Sequence, residues 1–127
     1  MVIEKKKAQG YKDLLVWQKG LPLAKEIYRL TQTFPTEERF GLVSQMRRAA
    51  VSIPSNIAEG QARHTTKEFV QFVSHAEGSV AETETQLIRA LELGYASGER
   101  AAIASGLLCD LRKMLNALRK TLVASGT

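Results

Sequence analysis

Four blocks of apolar residues, spaced three or four apart, constrain this chain more than any other feature of its sequence. The first runs Leu14, Trp17, Leu21, Ala24, Tyr28, and the second Val43, Met46, Ala50, Ile53, Ile57, Gly60. The third is Phe69, Val73, Ala76, Val80, Thr83, Leu87, Ala90, and the fourth Ile103, Leu107, Leu111, Met114, Leu118, Leu122. Such spacing lays a stripe along one side of an α-helix, and no strand-like alternation competes with it. Striped helices bury their stripes on one another, and short connections make sequential neighbours antiparallel. The expected fold is all-α, an antiparallel up-down-up-down four-helix bundle.

The breaks between blocks carry helix punctuation. Thr36 stands before Glu37 and Glu38, an N-cap followed by acids at the positive end of a helix. Thr65-Thr66-Lys67-Glu68 matches a capping box, Gly94 suits a C-terminal glycine, and Ser97 suits the next N-cap. Helices are expected over roughly 12–32, 37–61, 65–94 and 98–123. Residues 1–10, MVIEKKKAQG, are polar and aperiodic and read as a flexible basic tail, leaving 11–124 as one bundle domain. Pro22 and Pro54 fall inside helical blocks, where each removes a hydrogen bond and favours a kink. The pattern keeps its phase through Pro54, which favours one kinked helix over two short ones broken at Ser52–Pro54.

At 127 residues the chain has room for one domain, and aromatics at 6% require an aliphatic core. One cysteine, Cys109, excludes a disulfide framework and a Cys-rich zinc site. No apolar run approaches the ~20 residues of a membrane span. No apolar segment follows the basic N-terminus, so a secretory signal is not expected and a cytoplasmic location is.

Two surface features stand out. The second helix carries a polar stripe of Gln45, Arg48, Ser52, Asn56, Glu59 and Arg63 beside its apolar arc. The third repeats it with His75, Gly78, Ser79, Glu82, Gln86 and Arg89. Short hydrogen-bonding residues and Gly78 favour a packing or assembly seam of Arg48, Ser52, Asn56, Glu59, Ser79 and Glu82 over a plain solvated flank. The second feature is charge. The net charge is +5, and no acid follows Asp110. Arg112 with Arg119, and Lys113 with Lys120, form two rows on the fourth helix. These can merge with Lys19, Lys25 and Arg29 of the adjacent first helix into a surface that attracts polyanions such as RNA or DNA. A basic surface with no specific ligand is the alternative.

Catalytic motifs are missing: no P-loop, GxGxxG, HExxH or GxSxG occurs. His64 and His75, the only histidines, have no second ligand four residues on, and no metal or cofactor is expected. Glu59 can approach Glu82 across two helices, but di-iron bundles need Glu-x-x-His motifs, which are absent. Cys109 has no assignable base. Trp17 and Tyr28 lie at core spacing and read as packing.

Several runs are recognisable together. They are Leu14-Leu15-Val16-Trp17-Gln18-Lys19, Phe34-Pro35 with Glu38, the stretch from Arg47 to Gly60 containing Ser52-Ile53-Pro54-Ser55-Asn56-Ile57-Ala58-Glu59-Gly60, Gly78-Ser79 with Glu82, and Leu93-Gly94-Tyr95. The sequence resembles the bacterial four helix bundle protein family encoded within intervening sequences of 23S ribosomal RNA genes. More distantly it resembles the accessory variability determinant proteins of diversity-generating retroelements. The resemblance implies an antiparallel bundle, a ring-like homopentamer and no enzymatic activity. Through the retroelement relatives it implies binding to nucleic acid and to a reverse transcriptase.

Overall fold

The computed structural model describes residues 10–126; the basic tail, but for Gly10, lies outside them. Four helices follow in order: α1 Leu15–Thr31, α2 Leu42–Gln61, α3 Thr66–Glu92 and α4 Gly98–Ser125. No strand occurs among the described residues. Each helix packs on its neighbours in sequence, α4 closes on α1, and α2 with α3 form the most extensive pair. This is the antiparallel four-helix bundle that the striping requires.

Local chemistry sets three of the helix borders. The Thr65 hydroxyl accepts from the Glu68 amide at 3.1 Å and donates to the Glu68 carboxylate at 3.0 Å, opening α3. Ser97 accepts from the Arg100 amide at 3.1 Å, opening α4. Gly94, with φ 78°, closes α3 in a Schellman turn: its amide bonds to Leu91 O and that of Tyr95 to Ala90 O.

The start of α2 differs from expectation. Thr36–Glu38 form a separate 3-10 turn, and the α-helix begins five residues later than residue 37. Gly41 breaks the path between them, and the carboxylate of Glu38 accepts from the Leu42 amide at 3.2 Å in place of a Thr36 cap. Both α1 and α2 run unbroken through Pro22 and Pro54, so two short helices are excluded. Pro54 is buried against Gly20, where an added Cβ would stand 3.2 Å from the proline ring.

The core is aliphatic. Leu23, Ile27, Met46, Ile53, Ile57, Val73, Leu108, Leu111 and Leu115 are fully buried. Two stripes are shifted from the expected phase. In α1 the buried line is Val16, Gly20, Leu23, Ile27 and Leu30, leaving Leu21 and Tyr28 exposed. In α4 it is Ala101, Ala104, Leu108, Leu111 and Leu115, leaving Ile103 exposed. Small residues, Gly20, Ala101 and Ala104, lie on these buried lines, and a stripe drawn through the large residues misses them.

Candidate functional site

The expected basic residues of α1 and α4 do not form one surface of free charge. Lys19 lies 3.5 Å from Asp110, and Arg29 lies 3.4 Å from Glu26 on its own helix. Arg112 and Arg119 turn toward α3, where they meet Glu84 at 3.9 Å and Glu77 at 2.7 Å. Arg119 also donates to Asn116 at 2.8 Å and is half-buried, acting as a brace between α3 and α4. Lys25, Lys113 and Lys120 are exposed and have no carboxylate partner among the described residues.

The polar stripes of α2 and α3 meet in part. The hydroxyls of Ser52 and Ser79 are hydrogen-bonded at 2.6 Å, and Gln86 donates to Gln45 at 3.0 Å. Half-buried Asn56 donates to the Ser52 carbonyl at 2.8 Å, within its own helix. Glu59 is exposed and, among the described residues, pairs only with Arg63 at 3.3 Å; Arg48 and Glu82 are exposed. No buried side-chain nitrogen or oxygen among the described residues lacks a partner, so the seam is satisfied inside one bundle. Gly78 faces open space and packs on nothing within the bundle. A close helix approach occurs instead at Gly60, whose missing Cβ would meet Phe72 Cβ at 2.6 Å.

A feature that the striping missed lies between α1 and α2. A groove of about 590 Å³ is walled by Tyr28, Phe40, Arg39, Arg47, Arg48 and Val51. Arg47 is held in place: Nε donates to Thr31 Oγ1 at 2.9 Å, Nη2 to the Tyr28 carbonyl at 3.3 Å, and its guanidinium lies 4.4 Å from the Tyr28 ring centroid. Tyr28 is therefore a groove wall and not a core residue. None of the three arginines pairs with a carboxylate among the described residues. The one sequence signal was Phe40, an aromatic residue off every stripe, set between Arg39 and Gly41. The furrow continues toward the start of α1 as an apolar cleft of about 280 Å³ lined by Trp17, Leu21 and Pro54.

A model of the family described as 23S rRNA-intervening sequence protein matches residues 12–117, which reaches from the turn before α1 well into α4. The chain belongs to the 23S rRNA-intervening sequence protein family. No curated protein matches the chain.

In this family member the runs Phe34-Pro35 with Glu38 and Leu93-Gly94-Tyr95 form one clasp. Tyr95 Oη donates to the Glu38 carboxylate at 2.8 Å, and its ring packs on Phe34 with centroids 5.4 Å apart. The clasp ties the α3–α4 turn to the start of α2. The Tyr95 hydrogen bond, helped by the Leu42 amide, holds the Glu38 carboxyl below its ordinary pKa. The same bond, with some burial, pushes the Tyr95 phenol above its ordinary value. His64 and His75 are both exposed, and no group of three His, Cys, Asp or Glu able to hold a metal ion occurs among the described residues. Cys109 is half-buried, with Arg112 Nη2 3.8 Å from its sulfur. No helix is long and apolar enough to cross a membrane among the described residues.

Proposed function

We propose that this chain is a non-enzymatic cytoplasmic protein that binds RNA or DNA through its basic surface, as an oligomer. The observation that carries the reading is the set of exposed lysines on α1 and α4 with no carboxylate partner among the described residues: Lys25, Lys113 and Lys120. Such cations neutralise phosphates and release counterions whatever the base sequence. Assembly repeats the set once per subunit, so a modest charge becomes multivalent. The pentamer and the reverse transcriptase partner rest on the resemblance to the ring-forming and retroelement proteins.

The test is a salt titration of binding to generic RNA. Lys113→Gln with Lys120→Gln should weaken binding to every sequence alike and flatten the salt slope by about 0.7 to 0.9 per lysine. Unchanged binding would contradict the reading.

One observation favours the alternative, a structural homo-oligomer or protein adaptor. Leu21 and Val51 leave an exposed apolar line along the α1–α2 furrow, the kind of surface that protein contacts cover. Light scattering that shows an oligomer, joined to no detectable RNA binding at about 50 mM salt, would select that alternative.

A further inference from the structure

Arg39, Arg47 and Arg48 bring three positive charges with no carboxylate partner among the described residues into one groove between α1 and α2. Elsewhere Arg29, Arg63, Arg112 and Arg119 each meet a glutamate, while Arg89 and Arg100 donate to the Gln86 side chain and the Leu30 carbonyl. The groove also exposes two aromatic rings. Phe40 is 90% exposed, the most exposed large apolar side chain among those described, with the Arg39 guanidinium 5.9 Å from its ring centroid, and Tyr28 is 44% exposed beneath Arg47. An exposed phenylalanine beside these guanidinium groups calls for a ligand that is both anionic and flat-faced.

We propose that this groove binds a single-stranded nucleic-acid segment, with Arg39 and Arg48 holding phosphates and Phe40 stacking on an unpaired base. The proposal rests on the nucleic-acid reading above and adds a second, distinct contact to it. A carboxylate-rich peptide would answer the arginines and leave the exposed Phe40 ring without a match. A duplex offers phosphates but keeps its base faces stacked inside. A single strand supplies both. The groove adjoins, across Arg39, Val43 and Arg47, a second cleft of about 390 Å³ beside Phe34 and Thr31. Together the two clefts make a track for a chain of nucleotides. Ser44 and Ser55 line the wall of the first, within reach of a passing phosphate or sugar.

Arg47 also braces α1 against α2, so the test leaves it intact and alters the exposed residues. The full chain is titrated by fluorescence anisotropy against labelled oligouridine RNA, oligothymidine DNA and a blunt duplex of matched length. Phe40→Ala should weaken both single strands by about 5-fold or more and the duplex by less than about 2-fold, with Phe40→Trp restoring binding. Arg39→Gln with Arg48→Gln should flatten the single-strand salt slope by about 1.4. A loss confined to the RNA arm would assign the groove to RNA; a loss in both assigns it to either strand. The proposal is overturned if Phe40→Ala leaves single-strand binding unchanged or weakens the duplex equally. It is also overturned if that variant shifts the mass in light scattering, which would make the groove a contact between copies. Wild-type binding to duplex alone would sink the groove and leave the lysine surface standing. Binding to neither would sink both.

Discussion

Glycine to alanine at two positions of the α2–α3 pair should change stability in opposite directions. Gly60 is buried, and a Cβ there would stand 2.6 Å from Phe72 Cβ and 3.0 Å from Phe69 Cδ1. Phe72 Cβ is fixed to its own backbone, so relief requires the two helices to separate. Overpacking of this kind costs about 1–3 kcal/mol. Alanine returns about 0.5–1 kcal/mol through its better helix propensity. Gly60→Ala should therefore destabilise, by about 1 kcal/mol at the middle of these ranges. Gly78 sits mid-helix in α3 with nothing within 4 Å of the added carbon. Gly78→Ala should therefore stabilise by about 0.5–1 kcal/mol. Urea denaturation followed by helical circular dichroism, at one fixed protein concentration, reads both values. Gly60→Ala at or above wild-type stability would refute the close approach at that site. Gly78→Ala below it would show that something packs on Gly78 after all.

Three other outcomes follow from the same geometry. In a double-mutant cycle, Ser52→Ala and Ser79→Ala should couple by about 1 kcal/mol through their hydroxyl pair, while Glu59→Ala, on an exposed side chain, should stay within ~0.5 kcal/mol; additive serine variants would contradict the cross-helix bond. Arg119→Gln should destabilise by about 1 kcal/mol by breaking the half-buried pair with Glu77, and Lys113→Gln should not, as thermal melts will show. The Glu38–Tyr95 clasp should be pH-sensitive at both ends. Glu38 has a lowered folded-state pKa, so its contribution is complete above the unfolded value of about 4.3 and is lost as pH falls through the folded one. Tyr95 has a raised one, so its contribution is present below about pH 10 and is lost as pH rises through the folded value. The stability gap between wild type and Tyr95→Phe, measured by denaturation, should be widest near neutrality; a gap independent of pH would contradict the clasp.

What the sequence disclosed was local, and what it withheld was not. Thr65, Gly94 and Ser97 mark helix ends because capping is settled within a few residues, and all three do so in the structure. The four-helix architecture was legible for a similar reason, since stripe period alone dictates it. The phase of α1 was not, because Gly20 packs on Pro54, a pairing of residues far apart in the chain whose small size hides it from an apolar pattern. Arg112 and Arg119 looked free because their carboxylates, Glu84 and Glu77, lie on another helix. The groove stayed hidden because Arg47 reads as one member of a motif until Tyr28 and Thr31 stand beside it. Of the polar seam, the Ser52–Ser79 contact could be anticipated from two parallel stripes, whereas the outward turn of Glu59 and Glu82 could not.

On the function proposed here, the exposed basic side chains of this bundle engage nucleic acid through its phosphates. The most direct measurement is the wild-type affinity for a single-stranded RNA across salt from about 50 to 200 mM, plotted as log K against log salt. Each engaged phosphate should contribute about −0.7 to the slope, so three to six contacts give a slope of about −2 to −4. Affinity that is undetectable at the lowest salt, or that does not change with salt, would contradict the account.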